Sequence, residues 1–259
     1  MDLRLEGSVV YVTGGSAGIG RSIVDRLVDE GATVATCARN GDRLRTAYAD
    51  IDPRRVQLDT CDVSDAAALR AAIERTVERF GRLDGVVANA GAGVRGNVLE
   101  ADLEAFDQQF AVRAHPVLTL VRAALPHLRD SPHPSLVVMN GVSAYAPDPE
   151  MAAASTARAA VASLVALFAR RLAGDGIRVN SVNVGAVVTD RQRERHAAEA
   201  PGELFENWCL GEAVRRGIPL GRMGRPDEVS PAVALLLSPL AAYITGSAVD
   251  VAGGLGARM

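Results

Sequence analysis

The sequence predicts an α/β fold, a doubly wound parallel sheet in a single domain over residues 1–259, and three observations carry that reading. Short β-branched runs alternate with longer helical patterns along nearly the whole chain. A glycine-rich turn follows the first of those runs and opens the first helical pattern. No linker, repeat or low-complexity tract divides the 259 residues, 48% of them hydrophobic, which is enough for one large core.

The elements follow in order. Residues 8–13 read as a strand, 19–30 as a helix, 33–37 as a strand, 56–58 as a strand with helix 65–80 behind it, and 83–88 as a strand. A helix is expected over 102–128, a strand over 135–139, a helix over 151–173, a strand over 178–182 and a last strand over 248–251. Pro132, Pro134, Pro147 and Pro149 mark loops, because proline lacks a backbone donor and biases its predecessor away from helix. Between Thr189 and Pro219 lies an Arg- and Glu-rich stretch broken by Pro201 and Gly202. It reads as a helical insertion, with 190–219 expected to serve as a substrate lid.

Composition narrows the partners. A formal net charge of −3 and a pI near 5.9 provide no basic footprint for nucleic acid or an anionic membrane, so a small-molecule substrate is expected. All 28 basic residues are arginine, and no lysine is available for catalysis. Cys37, Cys61 and Cys209 have no paired spacing and are expected to be buried thiols in a reducing, cytoplasmic setting. Residues 1–7 hold no apolar leader, and no apolar run free of charge or glycine reaches membrane-spanning length. His115, His127 and His133 lack metal-ligand spacing, so no metal site is expected.

The turn reads Thr13-Gly14-Gly15-Ser16-Ala17-Gly18-Ile19-Gly20. Its glycines permit a tight turn and close backbone approach, and the helix start offers free N–H groups to a pyrophosphate. Gly14, Ser16, Gly18, Ile19 and Gly20 are therefore candidate dinucleotide-binding residues of a Rossmann-type fold. The second strand ends Cys37-Ala38-Arg39, with Ala38 where an acid would hold a ribose 2′-hydroxyl. Arg39 offers a fork to a 2′-phosphate instead, so NADP(H) is expected over NAD(H).

With Cys61-Asp62-Val63, Asn89-Ala90-Gly91, Gly185 and Tyr243-Ile244-Thr245-Gly246, this motif makes the chain resemble the short-chain dehydrogenase/reductase family over nearly its whole length. The resemblance implies that Asp62 and Val63 flank the adenine and that Asn89, Ala90 and Gly91 steady the sheet near the cofactor. It also implies that Gly185 stands in the cofactor loop after the sixth strand and that Thr189 holds the carboxamide. The long helices 102–128 and 151–173 resemble the family's oligomer interface, so a homo-tetramer or homo-dimer is expected.

The family's catalytic residues are a Tyr, a Lys four positions later, a Ser and an Asn. The matching stretch here runs from Met151 to Ala160, with Ala154 for the Tyr and Arg158 for the Lys. Thirteen positions before Ala154 stands Gly141, not Ser, and the Asn position holds Arg113. None of Tyr11, Tyr48, Tyr145 and Tyr243 has a basic residue four positions on. Arg158 can clamp the ribose, but a guanidinium keeps its proton at neutral pH.

Tyr145 and Ser143 lie just beyond the strand that should carry the Ser, and either hydroxyl is a candidate substitute acid. His196, Cys209 and Asp190 read more simply as solvated lid residues, and Arg191, Arg193 and Arg195 as a surface face that an anionic substrate or a partner protein could use. Three functions remain open. One is an atypical NADP(H)-dependent oxidoreductase of the keto- or quinone-reductase type. Another is an inactive subunit in a hetero-oligomer with an active homologue, and the third is a scaffold for a non-redox step.

Overall fold

A computed structural model of the chain describes residues 2–91 and 93–257. Seven strands form one parallel sheet in the order β3-β2-β1-β4-β5-β6-β7. They are β1 Val9–Thr13, β2 Thr33–Ala38, β3 Val56–Thr60, β4 Gly85–Ala88, β5 Ser135–Gly141, β6 Arg178–Val184 and β7 Ala248–Val251. Between them run α1 Gly18–Asp29, α2 Gly41–Ala47, α3 Ala66–Phe80, α4 Leu103–Leu128 and α5 Ala152–Leu172. Then follow α6 Asp190–Glu199, α7 Phe205–Arg215 and α8 Ser230–Leu237.

The alternation of β-branched strands with helices becomes two apolar layers, one on each face of the sheet. Leu69 and Ile73 of α3, Leu120 of α4 and Val161 of α5 pack with Tyr11, Val86 and Leu136 on one face. Ile23 and Leu27 of α1, Leu44 of α2 and Val233 and Leu236 of α8 pack with Val10, Val34 and Val137 on the other. Side-chain caps fix helix starts: Asp65 accepts from Ala67 and Ala68, Asp102 from Ala105 and Asn40 from Arg43. Strand order reverses between β1 and β4, and the carboxyl ends of the strands around that switch point hold the site.

The helical segment Ala152–Asp175 is long and apolar enough to cross a membrane by length and composition. Requiring a run free of charge missed it, because Arg158 interrupts it. Its inward residues Ala153, Ala157, Val161, Val165 and Leu172 are buried in the fold. The expected insertion folds as α6 and α7. Cys37 and Cys61 are buried as expected, whereas Cys209 is only half-buried on α7, where burial still pushes its thiol pKa up.

Candidate active site

A cleft of about 600 Å³ runs across the carboxyl ends of the strands, from the end of β2 to the start of α6. Gly14, Ser16, Gly18, Ile19, Gly20, Arg39, Asp62, Val63, Asn89, Ala90, Gly91, Arg158, Gly185 and Thr189 all line it. The fold therefore brings together every residue the sequence assigned to the cofactor.

The glycine turn is held by groups distant in sequence. The Asn89 amide donates to the carbonyls of Thr13 (2.9 Å) and Gly14 (3.2 Å), and the Tyr48 hydroxyl donates to that of Gly15 (2.6 Å). Thr13 Oγ1 accepts from the backbone of Asn89 and Ala90, tying the end of β1 to the end of β4. Gly14 has φ +75°, and a Cβ on Gly20 would run into the Gly14 carbonyl and the Asn89 amide. Ala17 leaves the start of α1 without a side-chain cap, so its N–H groups face the cleft. A cradle of close-packed glycines under an uncapped helix start fits the pyrophosphate of a dinucleotide.

At the adenosine end, Arg39 is exposed at the end of β2. The Asp62 carboxylate is taken up by the backbone and hydroxyl of Ser64, which with Arg39 hold its pKa down. Arg43 on α2 also lines the cleft and pairs with Asp190 at the start of α6, bridging the adenosine side to the inserted helices. Arg43 and this bridge were not foreseen, because α2 itself was not.

Across the cleft stand the substituted catalytic positions. The Arg158 guanidinium lies over Gly141, where a Cβ would meet Arg158 Cζ at 2.8 Å. Its Nη1 donates to Ser143 Oγ at 2.8 Å, while the Arg158 backbone carbonyl accepts from the Asn140 amide. Its Nε is buried and has no partner. Burial and the nearby Arg191 and Arg216 push its pKa down against the pull of Asp148. Arg113, on α4, donates to Gln109 and lines the same cleft. Burial, then repulsion from Arg158 and Arg191, pushes its pKa down to about 9. Ala154 is fully buried, so the tyrosine position is filled by packing.

The geometry corrects the expectation placed on Tyr145. Its hydroxyl donates to Asp250 on β7, and the residue does not line the cleft. A phenol already donating to a carboxylate at the far edge strand is poorly placed to protonate a carbonyl over β5. Ser143 is buried against Arg158 and reaches the cleft only through it. Arg113 was noted in the sequence only as a lost Asn. Its replacement of a neutral residue by a cation was the available signal.

A parallel sheet with a glycine-cradled switch point defines a dinucleotide-binding α/β protein. The family model described as enoyl-(acyl carrier protein) reductase matches residues 14–256, and the chain belongs to the short-chain dehydrogenase/reductase family. It is 35% identical over 254 residues to a chloroplastic tropinone reductase homologue of Arabidopsis thaliana, covering 97% of this chain and 76% of that protein. Among solved structures it is similar to a short-chain oxidoreductase of Pseudomonas aeruginosa PAO1 described as containing an atypical catalytic center. The apo form gives 39% identity, a TM-score of 0.93 and coverage of 98% of this chain and 99% of that one. The NADPH-bound form gives 39%, 0.92, 97% and 98%. The L-sorbose reductase of Gluconobacter frateurii, complexed with NADPH and L-sorbose, is 26% identical with a TM-score of 0.92, each chain being wholly covered.

Proposed function

We propose that the chain is an NADP(H)-dependent oxidoreductase acting on a keto- or quinone-type carbonyl of a small molecule, with guanidinium groups at the family's Lys and Asn positions and no side-chain acid at the Tyr position. The observation that carries this reading is the Arg158 guanidinium seated on Gly141 beside Ser143, in a cleft whose dinucleotide cradle is complete. Arg39, with Arg43 beside it, suits a 2′-phosphate, and the NADPH-bound relatives support that choice.

NADPH, when bound, supplies the hydride. Arg158 and Arg113 stabilise the negative charge that develops on the carbonyl oxygen, in a site where burial makes each donor worth more than in water. The Ser143 hydroxyl accepts from Arg158 Nη1 and so fixes the direction in which the guanidinium faces the cleft. The guanidinium groups hold their protons at neutral pH, so water completes the alcohol. The segment 190–219, as α6 and α7, covers the substrate end. Arg191 and Gln192 of α6 line the cleft and support that role.

Assembly as a homo-dimer or homo-tetramer runs through α4 and α5. Ala159, Ala162, Ser163, Ala166 and Leu167 form an exposed, small-residue face on α5 that supports close helix packing. Three free thiols support a cytoplasmic setting.

The test is fluorescence titration with NADPH and NADH, followed by a screen of activated ketones and quinones for NADPH loss. NADPH should bind about tenfold or more tighter than NADH. Turnover should run roughly 10²–10⁴-fold below that of a relative with a positioned acid. Binding without turnover of any substrate would refute the oxidoreductase and favour a nucleotide-bound subunit of a hetero-oligomer or a non-redox scaffold. No binding would remove the cofactor assignment.

A further inference from the structure

Two guanidinium groups face one cleft at the substituted catalytic positions, and among the described residues no carboxylate forms an ion pair with either, Asp148 acting on Arg158 only at a distance. Most neighbouring acids are committed elsewhere, and Glu194, which also lines the cleft, is exposed on α6 and pairs with neither arginine. Glu212 pairs with Arg195, Arg215 and Arg216, and Glu199 pairs with Arg195 and Arg95. Asp148 lies 3.8 Å from Arg216, and Asp190 pairs with Arg43. Among the described residues neither Arg113 nor Arg158 has an ion-pair partner, and Arg158 Nε has no hydrogen-bond partner at all. Withdrawing a cation from water is costly unless an anion compensates it, and two half-buried cations that repel each other raise that cost.

We propose that Arg113 and Arg158 form a binding site for a carboxylate, so that the substrate of this enzyme is a small oxo acid held through its carboxylate beside the carbonyl. A guanidinium presents a planar fork that matches a carboxylate, which a lysine ammonium does not. Replacement of a Lys and an Asn position by two arginines thus changes what the pocket recognises as well as what it catalyses. The phosphates of a dinucleotide are a second source of the same anionic chemistry. They belong at the glycine cradle at the end of β1, whereas Arg158 packs on Gly141 at the end of β5, with β4 lying between those strands. Arg191, exposed on α6 and also lining the cleft, adds a third positive charge at its mouth.

The role of the acid as substrate rests on the oxidoreductase reading, but its binding does not. The experiment is isothermal titration of the full chain with 2-oxobutyrate, acetoacetate, oxalate and acetate, and with the methyl esters of the two oxo acids. It is run without nucleotide and again with saturating NADP⁺, and NADPH oxidation is followed with each oxo acid. The expected result is that an oxo acid binds about tenfold or more tighter than its ester, with NADP⁺ present. Arg113→Met and Arg158→Met should each weaken the acid by a similar factor and weaken the ester by much less, so that the preference for the acid falls. Arg158→Lys should retain part of the preference. Equal binding of acid and ester by the wild-type chain, or no binding of any acid, overturns the proposal whether or not the variants fold. Acid binding that disappears when NADP⁺ is added also overturns it, because the nucleotide phosphates would then be the anions these arginines serve. Acid binding with NADP⁺ present but no NADPH oxidation supports the site and refutes the oxidoreductase reading alone.

Discussion

Placing a methyl group on Gly141 tests whether the catalytic positions were exchanged as a set. Gly141 has φ −146° and ψ 154°, extended backbone that any residue adopts, so Gly141→Ala carries no conformational penalty of its own. The new Cβ would stand 2.8 Å from both Cζ and Nη1 of Arg158 and 3.1 Å from its Nε, inside van der Waals contact. Those atoms are the end of a long side chain, so the guanidinium gives way and the backbone does not. What is lost is the hydrogen bond from Nη1 to Ser143, worth about 1–2 kcal/mol for a partly buried charged donor. For a chain of this size the fall in Tm is roughly 2–8 °C. Urea denaturation of wild type, Gly141→Ala, Arg158→Met and the double variant closes a thermodynamic cycle. With Arg158 removed, Gly141→Ala should cost less than about 0.5 kcal/mol, leaving a coupling of about 0.5 kcal/mol or more. An equal cost in both backgrounds would refute the argument that Gly141 exists to seat the guanidinium.

Three further outcomes follow from the same geometry. Arg39→Ala should weaken NADPH binding by about 10–100-fold and leave NADH within about twofold, as read by fluorescence titration, because only the 2′-phosphate loses its fork. Tyr145→Phe should lower stability by roughly 0.5–1.5 kcal/mol through the lost bond to Asp250 while kcat/KM stays within about twofold. A large loss of turnover in that variant would restore Tyr145 to the chemistry. Arg113 has a pKa pushed down to about 9, and its charged form holds an anion. Oxo acid affinity should therefore be full below that value and fall as pH rises through it, and Arg113→Met should flatten that fall in a calorimetric pH series.

The parts of the fold that the sequence reveals are those where one physical signal dominates. Strands buried on both faces read as β-branched runs, and β7 Ala248–Val251 was placed to the residue. The strand at 135–139 instead continues to Gly141, because Asn140 and Gly141 end the apolar run by composition while their extended backbone still pairs with Asn183 and Val184. α2 went unseen because its seven residues bury only Leu44. α8 went unseen because Ser230–Leu237 is apolar almost all round, which leaves no period to detect. The glycine cradle was legible because its chemistry is local. The partner of Tyr145 was not, since Asp250 lies 105 residues away.

The same distinction separates loss of a catalytic set from its exchange. Erosion of a site removes functional groups one by one and leaves the packing around them unadjusted, with voids that cost stability. Here Ala154 is fully buried at the tyrosine position, and the guanidinium at the lysine position fills the volume that the absent serine side chain would need. Gly141 therefore leaves the space in which the Arg158 guanidinium sits, and a side chain returned to position 141 alone would displace it. What the packing does not satisfy is charge. Arg158 Nε remains buried without a partner beside a second guanidinium, which erosion would not preserve and an anionic ligand would explain.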